Sequence, residues 1–261
     1  MKPSNIKLRK PFATFEKQHV FRLKLLRIII LLALLAPTLQ SYTQQGQKMT
    51  NLETFDYKRM HFGFLLSFNT ADFYINYKPD FTFNDSLLGI DNVQQSGFNL
   101  ALLASFNATK NVRFRFIPGL SFQDRGLNFK FLDAEGKTEV LLKRTESVYL
   151  DLPIMLKLRT NRVRNFAAYA IVGAKYSIDM QSQKDVNNAG ASDKIIKLIG
   201  QDYSIDAGGG LDFFLPYFKF AIEAKSAFGL PNALIQENTR FSSPIESLKT
   251  RTVIISLTFE G

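Results

Sequence analysis

The side chains that perform acid–base, metal or nucleophilic chemistry are scarce in this 261-residue chain. It contains no cysteine and two histidines, His19 and His61. The absence of cysteine excludes disulfides, thiolate zinc sites, iron–sulfur clusters and cysteine nucleophiles. Two histidines leave almost no material for a histidine metal site or relay. The sequence therefore predicts no metal ion and no cofactor, and the chemistry that remains is that of charged side chains.

Charged residues recur on the polar faces of segments in which apolar and polar residues alternate. We expect the following charges to share one interior: Arg113, Arg115, Asp151, Lys157, Lys175, Asp179, Asp206, Asp212, Lys219, Glu223 and Lys225. Bases and acids are nearly balanced in this set, and buried charges persist when they are paired. We interpret the set as a structural network, with a proton path or a small-solute site as the alternative.

The elements that must position these charges are eight segments with the two-residue period of a β-strand. They are Met60–Asn69, Gly97–Asn107, Val112–Gln123, Val148–Arg159, Phe166–Met180, Tyr203–Leu215, Tyr217–Gly229 and Lys249–Glu260. Short and long connections alternate between them. Outer-membrane barrels combine an even strand number with short periplasmic turns and long extracellular loops. We therefore predict an all-β fold, an eight-stranded antiparallel transmembrane β-barrel with up-and-down topology, over residues 60–261. A secreted β-sandwich or lipocalin-like barrel is the alternative.

The positive charge of the chain is concentrated at its N-terminus. Of the formal net charge of +10, residues 1–43 carry +7 (eight bases and one acid), which leaves 10 − 7 = +3. An apolar run, Ile28–Ala36, follows the bases and precedes Pro37, as in a secretory signal peptide. A membrane anchor would need about 17–25 apolar residues. We predict a signal peptide over residues 1–43, cleaved near residues 41–45, and no binding to nucleic acid.

Two features that could indicate an enzyme have simpler explanations. Gly208, Gly209 and Gly210 lie within a predicted strand, whereas a phosphate-binding loop needs a following helix. We expect these glycines to mark a bend or a bulge. His61 begins the first strand and is expected at the periplasmic end, whereas a lipid hydrolase of the outer leaflet needs its histidine at the opposite end. We expect no enzyme, with an outer-membrane lipid hydrolase as a minor alternative.

Contacts with other molecules are expected from the periplasmic segment, residues 44–59, and from the long loops. The candidate residues are Phe55, Tyr57, Arg59, Phe73, Tyr74 and Tyr77. The aromatic residues between positions 72 and 96 suggest a binding patch. The alternative is that the first strand continues through Ile75 and Tyr77.

Two stretches resemble a known family. Asn51–Phe64, continuing to Asn69 and Phe73, resembles the start of the mature region in PorT-type proteins of Bacteroidota. Val148–Lys157 resembles the Y-x-D-x-P-x-x-x-K strand of many small outer-membrane barrels of that phylum. The resemblance implies a non-enzymatic outer-membrane component of the type IX secretion system, which exports cargo with a C-terminal sorting domain and is tied to gliding motility in some species.

The same resemblance implies contacts with other secretion components and with outer-membrane lipid and lipopolysaccharide. It supplies no catalytic residues. The alternative is a general surface or adhesin-type barrel without a role in secretion, because a fold does not determine a function.

Overall fold

The computed structural model of the chain describes residues 51–78, 87–132, 136–182, 196–237 and 239–261. The predicted signal peptide, residues 1–43, lies outside the described residues, as do residues 44–50 of the predicted periplasmic segment. A short 3-10 helix, Phe55–Tyr57, precedes the strands. No helix among the described residues is long and apolar enough to cross a membrane.

Nine antiparallel strands form one closed sheet. They are β1 (Met60–Tyr77), β2 (Leu87–Asn107), β3 (Val112–Phe116), β4 (Gly119–Leu132), β5 (Thr138–Arg159), β6 (Phe166–Asp179), β7 (Gln201–Phe214), β8 (Lys219–Gly229) and β9 (Ile245–Glu260). Each strand pairs with its neighbours around the ring, and β9 pairs with β1. Strands β3 and β4 share one position between β2 and β5. The ring therefore has eight positions, which confirms the predicted barrel.

The gap between β3 and β4 is caused by proline. Pro118 has no N–H group to donate to the ladder, and Pro153 on the facing strand has none either. The backbone N–H of Ile117 still donates to the carbonyl of Pro153, at 3.2 Å, and that of Leu102 donates to Pro118, at 2.9 Å. The register is the same on both sides of the gap, so the wall of the barrel is continuous.

The two ends of the barrel differ. One end, here called the turn end, carries the short connections at residues 108–111, 160–165 and 215–218, together with Asn51 and Gly261. The opposite end, the loop end, carries the other four connections, residues 78–86, 133–137, 180–200 and 230–244. The connection between β4 and β5 is short, contrary to the expected alternation, because both strands extend toward the loop end. In the half near the turn end, apolar side chains face outward and polar side chains face inward, as the sequence predicts. On β1, Phe62, Phe64 and Phe68 are exposed, whereas Ser67 and Asn69 are buried.

Toward the loop end, β7 and β9 begin slightly earlier than the sequence predicts, and four other strands extend much further. β1 continues past Asn69 to Tyr77, which confirms the alternative of a longer first strand. β2 begins at Leu87, β4 ends at Leu132 and β5 begins at Thr138. Their pairing in these extensions is regular apart from local shifts in β1 and β2.

The extended strands enclose an apolar cluster, here called the loop-end core. Its buried members are Phe73, Leu87, Ile90, Leu127, Phe129, Phe131, Ile196, Leu198, Ala233, Leu234, Phe241, Ile245 and Leu248. Residues of two long connections take part, and the ring of Phe241 packs edge-on against Phe129 at a centroid distance of 5.0 Å. The described parts of these two connections therefore supply part of the loop-end core.

The three consecutive glycines do not form a bulge, contrary to the expectation from sequence. The pairing of β7 with β6 and β8 runs through Gly208, Gly209 and Gly210 without a shift. A Cβ atom on Gly210 would lie 2.5 Å from Cζ of Tyr169. Glycine is needed there because the Tyr169 ring lies directly against the β7 backbone.

Candidate functional site

The predicted charges meet inside the barrel, in the half near the turn end. Ten of the predicted charged side chains are buried: Arg113, Arg115, Asp151, Lys157, Lys175, Asp206, Asp212, Lys219, Glu223 and Lys225. They lie at alternate positions of β3, β5, β6, β7 and β8, which point to the same side of the sheet. The fold thus places on one inner surface the polar faces of strands that are distant in sequence.

Glu223 is the centre of the network. One of its carboxylate oxygens accepts hydrogen bonds from the guanidinium of Arg115 and from the hydroxyl of Tyr169, both at 2.9 Å. The ammonium of Lys225 lies 3.6 Å from the other oxygen. Arg115 and Glu223 have no exposed side-chain surface. Arg115 therefore depends on Glu223 for compensation of its charge, while Glu223 is compensated by Arg115 and Lys225 together.

Two further ion pairs lie between this centre and the turn end. The ammonium of Lys157 donates to Asp212 at 2.7 Å and lies 3.5 Å from the centroid of the Tyr169 ring. Lys219 lies 2.6 Å from Glu260. Glu260 is absent from the predicted set. It follows Ser256 and Thr258 on the polar face of β9, and this alternation is the signal that would have included it.

At the turn end, a carboxylate from outside the strands joins the network. Asp56 accepts hydrogen bonds from Arg113 at 2.6 Å and from Arg159 at 2.9 Å. Burial alone would raise the pKa of Asp56, but the hydrogen bond and the charges of Arg159 and Arg113 hold that pKa below its usual value. Sequence reasoning missed Asp56 and Arg159, because they are 103 residues apart and no local pattern connects them.

Residues Asn51–Tyr57, here called the N-terminal plug, close the turn end. The Phe55 ring stacks on His61 at a centroid distance of 3.7 Å and meets Phe214 edge-on at 5.9 Å. The Asn51 side chain donates to the carbonyl of Phe214 at 2.9 Å. Phe55 was expected on a partner surface, but it is buried within the mouth of the barrel, because its ring fills the space between β1 and β7.

Toward the loop end, the polar interior contains fewer charged side chains and more neutral polar ones. Asp151 accepts from the hydroxyl of Ser177 at 2.6 Å and lies 3.5 Å from the ammonium of Lys175. Arg125 donates to Gln123, which in turn donates to Ser121. These bonds extend the polar interior to the level at which the loop-end core begins.

Asp179 lies at the loop-end edge of this interior network. It is the last residue of β6 and accepts a hydrogen bond from the backbone N–H of Gln181 at 2.9 Å. Its carboxylate also interacts with the hydroxyl of the buried Ser147 and with the charge of the buried Arg125. Asp179 thus caps the following turn at the edge of the interior, and its pairing with the buried cations stays a prediction.

Two cavities along the barrel axis are small. One, of about 30 Å³, is lined by Asp151, Lys175, Asp206 and Lys225 among others, and the other, of about 10 Å³, lies beside Arg125. Each has room for about one water molecule. A solute that crossed the barrel would have to displace buried ion pairs, so the arrangement favours a filled interior.

The remaining candidate contact residues lie at opposite ends. Tyr57 and Arg59 are exposed at the turn end, and Tyr74 is exposed at the loop end. The hydroxyl of Tyr77 donates to the carbonyl of Ile90 at 2.8 Å. Phe73 was expected on a partner surface, but it is buried in the loop-end core because the longer β1 turns it inward.

His61 is buried under Phe55, and its Nε2 atom lies 3.2 Å from the amide nitrogen of Asn107. Within the described ranges, no group of three or more His, Asp or Glu side chains could hold a metal ion. The charged interior can therefore be described as a set of ion pairs and hydrogen bonds.

Comparison with known proteins agrees with this architecture. Residues 43–234 match the model of a family described as outer membrane protein beta-barrel domain. No curated protein matches the sequence. The structure resembles OprG from Pseudomonas aeruginosa, with 14% identity, 78% of this chain and 97% of that chain covered, and a TM-score of 0.42.

It also resembles Ail of Yersinia pestis in complex with the heparin analogue sucrose octasulfate, with 14% identity, 78% and 100% coverage and a TM-score of 0.37. Neisserial surface protein A shares 11% identity, with 76% and 96% coverage and a TM-score of 0.36. Structural similarity at these TM-scores gives no information about what the chain binds.

Proposed function

The chain belongs to the outer membrane protein β-barrel domain family, and from that premise we propose that it is a non-enzymatic component required for type IX protein secretion. The barrel is integral to the outer membrane. Its part in secretion is the export of cargo with a C-terminal sorting domain, with a link to gliding motility where the species glides. The resemblance of Asn51–Phe64 to PorT-type proteins supports this assignment.

The filled interior is the observation that carries the mode of action. The Arg115–Glu223 and Lys157–Asp212 pairs occupy the axis of the barrel, and Phe55 closes the turn end. Cargo cannot pass through such an interior without breaking buried ion pairs, and breaking one typically costs about 3–5 kcal/mol. The protein therefore acts by contact with other secretion components and is not itself the channel.

The two ends offer these contacts to different compartments. The turn end, with the N-terminal plug, faces the periplasm, and the loop end faces the exterior. The outward apolar side chains between them contact outer-membrane lipid and lipopolysaccharide. A periplasmic platform that is fixed to the barrel suits a component that docks other proteins of the machinery.

The environment of His61 supports a role without catalysis. A hydrolytic histidine needs a nucleophile within hydrogen-bond reach and access to substrate. His61 is covered by Phe55 and lies at the turn end. The substitution His61→Ala, combined with lipid A mass analysis of the variant and of a deletion strain, tests this point: a changed lipid profile in both would show an enzyme.

Deletion of the gene tests the secretion role. Cargo with a C-terminal sorting domain is expected to accumulate in the periplasm, while other outer-membrane proteins keep their normal abundance. Complementation with the full chain should restore export. Unaltered export in the deletion strain would contradict the proposal.

A general surface or adhesin-type barrel is the second candidate function. The loop-end core favours this second function, because the core packs together the extensions of β1, β2, β4 and β5 beyond the outward apolar side chains that contact lipid. A deletion strain with normal export and reduced adhesion would select this function over the secretion role.

A further inference from the structure

The surface of the turn end carries an excess of positive charge. Five cations, here called the basic mouth patch, lie on three connections that meet there: Lys58, Arg59, Lys110, Arg162 and Arg164. Arg162 is half-buried and the other four are exposed. The exposed acid among residues 51–59 is Glu53. Arg162 interacts with the charge of Asp56, whereas the four exposed cations do not take part in the described ion pairs of the interior.

The exposed cations of the patch lack acidic partners within the part of the chain that the structure describes. Lys58, Arg59, Lys110 and Arg164 have no carboxylate within 4.0 Å there. At the loop end the exposed Lys130 lies 2.5 Å from Asp91, whereas Lys78, Arg144, Lys249 and Arg251 are exposed there and have no carboxylate within 4.0 Å among the described residues. The charges of Asp56 and Glu53 act on Arg162, so within the described ranges the four exposed cations are the members of the patch that are left without an ion pair.

Hydrogen bonds hold the connections of the patch in one platform. The Asn107 side chain donates to the carbonyl of Lys58 at 2.7 Å, and its backbone N–H donates to Arg59 at 2.8 Å. Arg162 donates to the carbonyls of Leu52 at 3.2 Å and Arg164 at 2.8 Å. The backbone that carries Lys58, Arg59 and Arg164 is therefore held in place, which lowers the backbone entropy lost when a partner binds.

The backbone is strained at the same place. Leu52 and Arg164 have φ angles of 49° and 54°, and they are the non-glycine residues with positive φ within the described ranges. Both are held by Arg162, which donates to their carbonyls. Strained residues cluster at functional sites, where the surrounding structure enforces them. The strain therefore supports a binding role for this platform.

Exposed apolar side chains accompany the cations. Tyr57, Val163 and Tyr217 are 77%, 61% and 90% exposed. Tyrosine and arginine are enriched at protein interfaces, where the aromatic ring supplies buried area and the cation supplies directed hydrogen bonds. The combination fits a protein surface better than it fits a free ion.

We propose that the basic mouth patch docks an acidic, aromatic-containing segment of a periplasmic protein. This inference names the partner chemistry of the secretion role, and it rests on that proposed function. A second copy of this chain would bring the same cations and be repelled. Lipid headgroups surround the circumference of the barrel, whereas Arg162 lies over Phe214 and the N-terminal plug, across the mouth. A protein segment reaches that position more readily than a headgroup does.

A binding experiment with purified full-length protein tests the proposal. The chain is reconstituted in nanodiscs of zwitterionic phosphatidylcholine, and the probe is a fluorescent peptide of alternating Glu and Gly residues with one central Phe. The variant Lys58→Glu, Arg59→Glu, Lys110→Glu, Arg164→Glu should weaken binding about tenfold or more. The matched control reverses four exposed loop-end cations, Lys78, Arg144, Lys249 and Arg251, and should bind as the wild type does.

Heat-modifiable gel mobility confirms that both variants form barrels. Equal binding by the wild type and the mouth variant, or loss of binding in the control alone, would overturn the proposal. Nanodiscs that contain anionic phosphatidylglycerol form a second arm. If the wild type retains that lipid through the patch and no longer binds the peptide, the patch is a lipid site and the protein-docking proposal fails.

The outcome is independent of the deletion experiment. Peptide binding at the patch with normal export in the deletion strain would reject the secretion role and keep the docking surface. Defective export without peptide binding at the patch would keep the secretion role and reject this surface.

Discussion

In the half near the turn end the interior of the barrel combines ion pairs with a smaller apolar cluster, and at the loop end it consists of packed aromatic and aliphatic side chains. The smaller cluster is formed by Leu65, Leu103, Ile117, Met155, Tyr169, Ile171 and Ala221. β4 contains both kinds of interior. Its inward residues change from Gln123 and Arg125 to Leu127 and Phe129 along the strand. The same strand carries Phe122 on its outer face before the change, and the polar Asn128 after it.

β9 shows the same inversion in the opposite direction. Its outward residues change from Lys249 and Arg251 to Val253 and Ile255, while Leu248 is buried in the loop-end core and Ser256 in the polar interior. The apolar face is outside where lipid surrounds the barrel and inside where water does. The surrounding medium thus decides which face of one strand must be apolar.

Removal of one member of a central ion pair should have the largest effect. Glu223→Leu leaves Arg115 as an uncompensated charge inside the barrel, and the free energy of unfolding should fall by about 3–5 kcal/mol. Urea unfolding of the full chain refolded into lipid vesicles measures it. The double variant with Arg115→Leu should lose less, since it removes both charges. A single variant as stable as the wild type would show that the interior does not depend on pairing.

The loop-end core should respond to lost volume instead of lost charge. Phe129→Ala leaves a cavity in a fully buried position and should destabilise the loop end by about 3 kcal/mol. Hydrogen exchange should increase in the β4 and β5 extensions, while heat-modifiable mobility of the barrel stays normal. The matched control is Tyr74→Ala, an exposed aromatic residue of β1. Equal exchange in both variants would contradict a packed core at this end.

The N-terminal plug should depend on pH through Asp56. Its pKa is lowered in the folded protein, so its contribution is complete above the unfolded pKa of about 3.9 and is lost as the pH falls through the folded value. Asp56→Asn should weaken the attachment of the N-terminal plug to the barrel by about 1 kcal/mol, because the ion pairs of Asp56 are partly exposed.

A spin label at Thr54→Cys, in a chain without other cysteines, measures the mobility of the plug. The label should become mobile in acid when Asp56 is present, and should show no such transition in the Asp56→Asn background. A label that keeps the same mobility from neutral to acidic pH in both backgrounds would refute the role of this carboxylate.

An ion pair on the outer surface should have the smallest effect. Lys130 and Asp91 are 2.5 Å apart, but their side chains are 42% and 55% exposed. Lys130→Ala should change the free energy of unfolding by less than about 0.5 kcal/mol. If this substitution costs as much as Glu223→Leu, burial is not what separates the two kinds of ion pair.

Alternation in the sequence predicts the eight ring positions and ten of the buried charges, because a two-residue period assigns each side chain to one face. It fails where the apolar residues of one strand move from the outward-facing positions to the inward-facing positions. In β4, the apolar residues Leu120 and Phe122 have even numbers, whereas Leu127 and Phe129 have odd numbers. A single-phase pattern therefore ends at Gln123, although the strand continues to Leu132.

The contacts of the plug and of the loop-end core could not be predicted from local pattern. Asp56 meets Arg159 because the chain returns to the mouth of the barrel, and Phe241 meets Phe129 because a long connection folds back. Neither contact leaves a periodic signal. These tertiary contacts decide which candidate residues are exposed, which is why Phe55 and Phe73 were misplaced.

A nitroxide scan along β4 tests the inversion of the barrel most directly. Single cysteines from Leu120 to Lys130 are spin-labelled in the full chain, reconstituted in vesicles, and exposed to oxygen and to a water-soluble nickel complex. Labels at Leu120 and Phe122 should collide preferentially with oxygen, and those at Asn128 and Lys130 with nickel, while inward positions collide with neither. Preferential oxygen collision at Asn128 and Lys130 would contradict the account.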